Sequence, residues 1–166
     1  MVMYGRASRV KVPPEQSWKP LLRNQRPTVT KVLNCEAFRV SRETAGVIIG
    51  DPEALRELAL LVEAIDIAPT ALVVLDDRLQ AAVRFLRAKA DRLESPDREE
   101  ADPATPATAT RERLVVAALH YLVTPFDLVA DFSPGDYVDD VLLLSWVFGA
   151  AVNELSPFTD SDDHLT

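Results

Sequence analysis

Five aspartates, Asp127, Asp131, Asp136, Asp139 and Asp140, fall within 14 consecutive positions of this 166-residue chain. Several carboxylates converging on an open position are what Mg²⁺ or Ca²⁺ requires, because hard cations take oxygen ligands. Asp136 and Asp140 stand one helical turn apart, so a helix there places them on one face. The same residues also have a structural use. A hydroxyl-Pro-x-acid unit occurs twice, as Thr124-Pro125-Phe126-Asp127 and Ser133-Pro134-Gly135-Asp136. Each reads as a capping box in which the hydroxyl accepts from an early amide, Pro takes the first helical position and the acid folds back. Asp139 and Asp140 are then acids near the positive end of a helix dipole, and Asp131 is left to bond turn amides. No His or Lys stands beside the cluster as a base, and there is no Gly-rich phosphate loop. The pattern therefore implies no reaction and, beyond a Mg²⁺ or Ca²⁺ ion, no cofactor.

Other residues with chemical potential are isolated. His120 lies inside an apolar run beside Tyr121, the setting of a neutral core histidine with one hydrogen bond rather than of a ligand or a base. Cys35, the one cysteine, has no visible His partner or helix N-terminus to lower its pKa and reads as an inert thiol. Trp146 and Phe148 fall near the end of an apolar run, where packing explains them, although Trp also favours membrane interfaces.

Charge is unevenly spread. Residues 1–50 hold nine Lys/Arg and three acids, a balance of +6, whereas residues 51–166 carry −14. A basic arm on an acidic body either lies across that body or meets an anionic partner such as a membrane surface. The residues for such contact are Arg6, Arg9, Lys11, Lys19, Arg23 and Arg26. Their irregular spacing, with Tyr4 and Trp18 isolated, argues against a nucleic-acid partner. One cysteine gives no intramolecular disulfide and no Cys/His zinc framework, which points to a reducing, cytoplasmic setting. No run of 18 apolar residues exists, and the first residues lack the apolar centre of a signal peptide.

The scaffold for these groups is mostly helical in its patterning. Residues 1–26 are Pro-punctuated and polar, expected to be extended or disordered unless docked. Residues 28–33 and 37–40 are rich in β-branched and apolar side chains and suggest short strands. Residues 41–49 read as a short helix closed by Gly50 or, through Val47-Ile48-Ile49, as a strand. Asp51 as N-cap, Pro52 at the first helical position and Glu53 open a helix with Leu55, Leu58, Leu61, Val62 and Ile65 on one face. A second amphipathic helix begins near Thr70, with Leu72, Leu75, Leu79, Ala82, Leu86 and Leu93 on its seam and Arg87 placed to pair with Asp91 across one turn. Residues 95–109, rich in Pro, Ala, Thr and acids, read as a flexible linker. Two helices that are apolar nearly all round come next, over 111–123 and 141–153. Their uncharged runs of 13 residues fall short of the roughly 20 needed to cross a bilayer, which leaves core helices or a re-entrant hairpin. Residues 156–166, with Asp160, Asp162 and Asp163, read as an acidic tail.

The segment between the apolar helices carries a resemblance. Tyr121-Leu122, Thr124-Pro125-Phe126-Asp127-Leu128-Val129, Asp131-Phe132, Pro134, Gly135, Tyr137-Val138-Asp139-Asp140 and Val141-Leu142 resemble the YkvA-like family of small bacterial domains of unknown function. In that family an apolar helix ends in a Ser-Pro-hydrophobic-Asp segment and an Asp-Asp pair opens a second one. Thr124 stands where the family favours Ser and keeps the hydroxyl; Ala130 stands where the family has Pro. The resemblance spans about 40 residues, roughly 113–152. It implies an apolar helical hairpin and brings no established activity with it.

These readings predict a small all-α domain of about four main helices with a C-terminal apolar hairpin and a basic N-terminal arm with short strands. The divisions are 1–50, 51–94, 95–109, 110–155 and 156–166. The function expected is that of a non-catalytic interaction or scaffold module, cytoplasmic and peripheral to the inner face of the cell membrane. Its partner is an unidentified protein, and the competing reading is a divalent-cation domain built on the hairpin aspartates.

Overall fold

In the computed structural model, which describes residues 27–97, 104–124 and 138–159, every regular element is helical. The helices are α1 (Pro27–Leu33), α2 (Glu36–Ile48), α3 (Pro52–Glu63), α4 (Asp76–Glu94), α5 (Pro106–Val123), α6 (Val138–Ala150) and α7 (Val152–Leu155). Two 3₁₀ turns, Ala71–Leu75 and Ser156–Phe158, lead into α4 and out of α7.

The start signals of α3 act as expected. Asp51 is extended, and its Oδ1 accepts from the amides of Glu53 (3.0 Å) and Ala54 (3.3 Å) ahead of Pro52. Removing such a cap costs about 0.5–2 kcal/mol. Asp51→Ala is therefore expected to lower stability by about that amount in urea unfolding, with Asp51→Asn retaining most of it. An unchanged midpoint in Asp51→Ala would show that the cap carries no weight.

Two helix pairs make the body, α2 along α5 and α3 along α4, and α6 closes the core against α1, α5 and the first 3₁₀ turn. Helix α5 is its axis: Leu114 to Leu119 are six consecutive buried residues, as a helix surrounded on all sides requires. Helix α6 contributes Leu143, Leu144, Val147 and Phe148, all buried, with Trp146 half-buried against the same cluster. Among the described residues no single helix is long and apolar enough to cross a membrane.

Several expectations are corrected. Residues 28–33 and 37–40, read as strands, lie in α1 and α2, because Ala37, Phe38, Ser41, Arg42 and Ala45 recur at helical spacing and are buried together. Helix α5 begins at Pro106, inside the stretch read as linker, where Thr105 Oγ1 accepts from the Thr108 amide at 3.2 Å. On α3 the small Ala59 is buried, while Leu61 is 48% exposed. Arg87 and Asp91 do not pair. Arg87 reaches Glu63, and Asp91 receives Arg56 at 2.8 Å together with Glu94, so these charges tie α4 to α3 rather than to itself. Residues 156–158, read as the start of a tail, form a 3₁₀ turn whose Phe158 packs against the core. Phe158 meets the Phe85 ring edge-on at 6.0 Å, and its carbonyl accepts from Arg84 Nη1 at 2.8 Å.

Candidate functional site

Two groups of polar side chains with chemical potential stand out among the described residues. The first lies between α2 and α5. Ser41, fully buried, and His120, half-buried, share a 2.9 Å hydrogen bond between Oγ and Nδ1. Burial alone pushes the His120 imidazole below its ordinary pKa. Thr124 Oγ1 donates to the His120 carbonyl at 2.6 Å. Arg42, 9% exposed, donates to the Leu33 carbonyl at 2.7 Å and lies over the Phe38 ring, 5.3 Å from its centroid. Arg113 Nη2 donates to the Arg42 carbonyl at 3.3 Å. Gly46 makes room for it, since a Cβ there would stand 2.7 Å from that nitrogen.

A serine beside a histidine is the start of a nucleophile–base arrangement. Here the serine oxygen is sealed in the core, so the pair fastens α2 to α5 as a hydrogen-bonded core histidine does. The pH dependence of the pair has a definite sign. With a folded pKa below the unfolded value of about 6.5, the unfolded chain binds the proton more readily than the folded one. The stability from neutral His120 is thus fully present above that pH and is lost as pH falls toward and through the folded pKa. Unfolding midpoints between pH 7.5 and 5 are expected to fall in wild type and to fall less steeply in His120→Gln. Parallel curves would contradict this.

The second place is an open groove of about 380 Å³ between α4, the C-terminal end of α3 and the connection after it. Its floor is Val62, Ile65, Ile67, Leu79 and Val83; Asp76 and Gln80 stand toward the start of α4, Arg84 and Arg87 two to three turns further on. The Gln80 amide donates to Asp76 at 3.0 Å. Arg87 hydrogen-bonds Glu63, and that guanidinium holds the Glu63 carboxyl below its ordinary pKa. Both partners are more than two-fifths exposed, so the pair contributes no more than about 0–1 kcal/mol and yields readily to a competing ligand. An apolar floor with a polar rim that changes sign along its length has the chemistry to accept an amphipathic segment of chain. Individual residues did not announce this groove in the sequence. Its signal was the α4 stripe Asp76, Leu79, Gln80, Val83, Arg84, Arg87, which mixes apolar and charged side chains at helical spacing.

The predicted site residues fare differently. Asp127, Asp131 and Asp136 lie outside the described residues, as do Arg6, Arg9, Lys11, Lys19, Arg23 and Arg26. Asp139 and Asp140 fall in the first turn of α6, and Asp140 is half-buried. Among the described residues no three His, Cys, Asp or Glu side chains are grouped to hold a metal ion. Cys35 departs from expectation. It is the N-cap of α2, and its Sγ accepts from the Phe38 amide at 3.4 Å.

Compared with protein-family models, with curated proteins and with solved structures, the chain matches none.

Proposed function

We propose that this chain is a non-catalytic helical interaction or scaffold module, and that the groove along α4 is where it receives a partner segment. The observation that carries this reading is the groove itself, in which the half-buried Ile65 and Ile67 and the edges of the buried Val62, Leu79 and Val83 lie beside Arg84 and Arg87. The contrast with the α2–α5 polar cluster supports it, because there Ser41, His120 and Arg42 are spent on joining helices. The partner chemistry that fits is a peptide segment carrying aliphatic and acidic side chains, the acids meeting the guanidiniums.

The resemblance of 113–152 to the YkvA-like family and a cytoplasmic, membrane-peripheral setting belong to the same proposal. In it the basic side chains from Arg6 to Arg26 meet anionic lipid at about 1 kcal/mol each. Flotation with anionic vesicles is expected to be salt-sensitive, and equal partitioning onto neutral and anionic vesicles would contradict that part.

The groove is tested by comparing proteins captured from the native host by wild type and by Arg87→Glu, a surface change that is expected to leave the melting temperature nearly unchanged. Specific partners are expected with wild type and not with the variant. Identical capture by both would remove the groove from the reading. A saturable Mg²⁺, Mn²⁺ or Ca²⁺ site in calorimetry, lost in Asp131→Ala, would replace the interaction reading with a cation-binding one.

A further inference from the structure

The rim of the groove is ordered along α4. Asp76, Gln80, Arg84 and Arg87 recur at four- and three-residue spacing, which puts them on one stripe of the helix within roughly 80° of arc. The first-turn end of the stripe is negative. Asp76 stands there, bonded by the Gln80 amide at 3.0 Å, and Asp77 beside it is exposed and adds its charge. Arg78 falls on the other side of the helix by its spacing. Two to three turns further on, the stripe is positive: Arg84 is fixed by donating to the Phe158 carbonyl at 2.8 Å, and Arg87 reaches Glu63 on α3.

Floor and size narrow what this stripe can accept. Val62, Leu79 and Val83 are buried and offer only their edges, so the apolar surface left to a ligand is chiefly that of the half-buried Ile65 and Ile67. Such a surface calls for one aliphatic anchor rather than a stripe of them. A volume of about 380 Å³ is at the small end of ligand clefts and does not take a helix, whose cylinder is about 10–12 Å wide. An extended segment fits. Along α4, Asp76 lies about 12 Å from Arg84 and about 16 Å from Arg87, while four residues of extended chain advance about 13 Å. Residues i, i+2 and i+4 of such a chain project to one side.

We infer that the groove selects an extended peptide segment with opposite charges at i and i+4 and an aliphatic residue at i+2, its base at Asp76, its aliphatic side chain on Ile65 and Ile67, and its acid at Arg84 and Arg87. This rests on the reading of the groove as a docking site and adds its selectivity: the order of charges decides, and net charge does not. A segment with acids at both positions is repelled at Asp76, and one with bases at both is repelled at the guanidiniums. Glu63 does not block the acid. Its pair with Arg87 is more than two-fifths exposed on both sides, so the guanidinium is shared or exchanged at little cost.

The test uses the full chain as bait for a displayed library of random twelve-residue peptides, at low salt, where rim charges are least screened. Wild type, Asp76→Lys and Arg87→Glu are selected against in parallel. Peptides enriched on wild type are expected to carry opposite charges four positions apart around an aliphatic residue. Asp76→Lys is expected to enrich acids at both charged positions, a reversal that loss of folding could not produce. A synthetic wild-type binder is expected to bind Asp76→Lys about three- to tenfold more weakly, and to recover when its base is replaced by an acid. The same peptides on wild type and Asp76→Lys, with loss on Arg87→Glu, would overturn the charge order while leaving the groove as a docking site. Enrichment indifferent to both variants, or no enrichment, would overturn both. Opposite charges eight or more positions apart would mean a helical ligand, and self-association of wild type that Arg87→Glu abolishes would assign the groove to a second copy; either overturns the inference.

Discussion

Phe38→Ala is expected to destabilise the fold by about 3–5 kcal/mol, the usual range for emptying a fully buried aromatic site. Phe38 is 0% exposed, meets the Tyr121 ring edge-on at 5.8 Å, and carries the Arg42 guanidinium on its face. Its removal deletes apolar packing between α2 and α5, an aromatic pair and a cation–π contact together. A domain of this size has only about 5–15 kcal/mol of stability, so much of the reserve is at stake. Urea unfolding followed by circular dichroism measures it. A loss under about 1 kcal/mol would mean that α2 is an appended arm rather than a wall of the core.

A comparable effect is expected at the other end of the chain. Leu144 of α6 is fully buried, and Leu144→Ala is expected to cost about 2–5 kcal/mol in detergent-free buffer. Leu142, half-buried on the same helix, supplies the control, and Leu142→Ala is expected to cost visibly less. The comparison separates a core helix from one that needs lipid. If the uncharged run beginning at Val141 were made for a bilayer surface, truncating either leucine in water would cost little or relieve exposed apolar area. Equal small effects at both positions would contradict the packing described.

How far the sequence reveals this fold depends on whether the physics is local. Helix α3 is legible from Asp51-Pro52-Glu53 because a cap and a fixed φ act within three residues. The seam of α4 and the all-apolar α5 and α6 are legible because their periodicity reports burial directly. The region 27–50 misleads because Thr28, Val29, Thr30, Val32 and Val40 carry strand propensity, a preference that tertiary packing overrides. The buried stripe of α2 passes through Ser41 and Arg42, whose polarity hides its period. Helix α5 starts early because Thr105-Pro106 caps it, while the first turns, Ala107 to Thr110, are exposed or half-buried and show no apolar pattern.

Charge partners are the least legible of all. An i,i+4 pairing of Arg87 with Asp91 is a local expectation, and it loses to Glu63 and Arg56 on the neighbouring helix, which only the α3–α4 packing brings near. The groove arises from that packing too. Its floor joins Val62, Ile65 and Ile67 to Leu79 and Val83, so the spacing along α4 reports one wall of the groove and not the other. In the same way the Ser41–His120 bond links residues 79 positions apart, so the histidine's core setting was legible and its partner was not.

The central claim, that the α4 groove receives a segment of polypeptide, is tested most directly by site-specific photo-crosslinking in the native host. A photoreactive side chain is placed at Gln80 on the groove rim and, for comparison, at Arg39 on the exposed face of α2. Discrete, reproducible peptide adducts are expected from Gln80, mapping to an acidic, aliphatic segment of a partner, with none from Arg39. Adducts of equal yield at both positions, or none at Gln80, would contradict it.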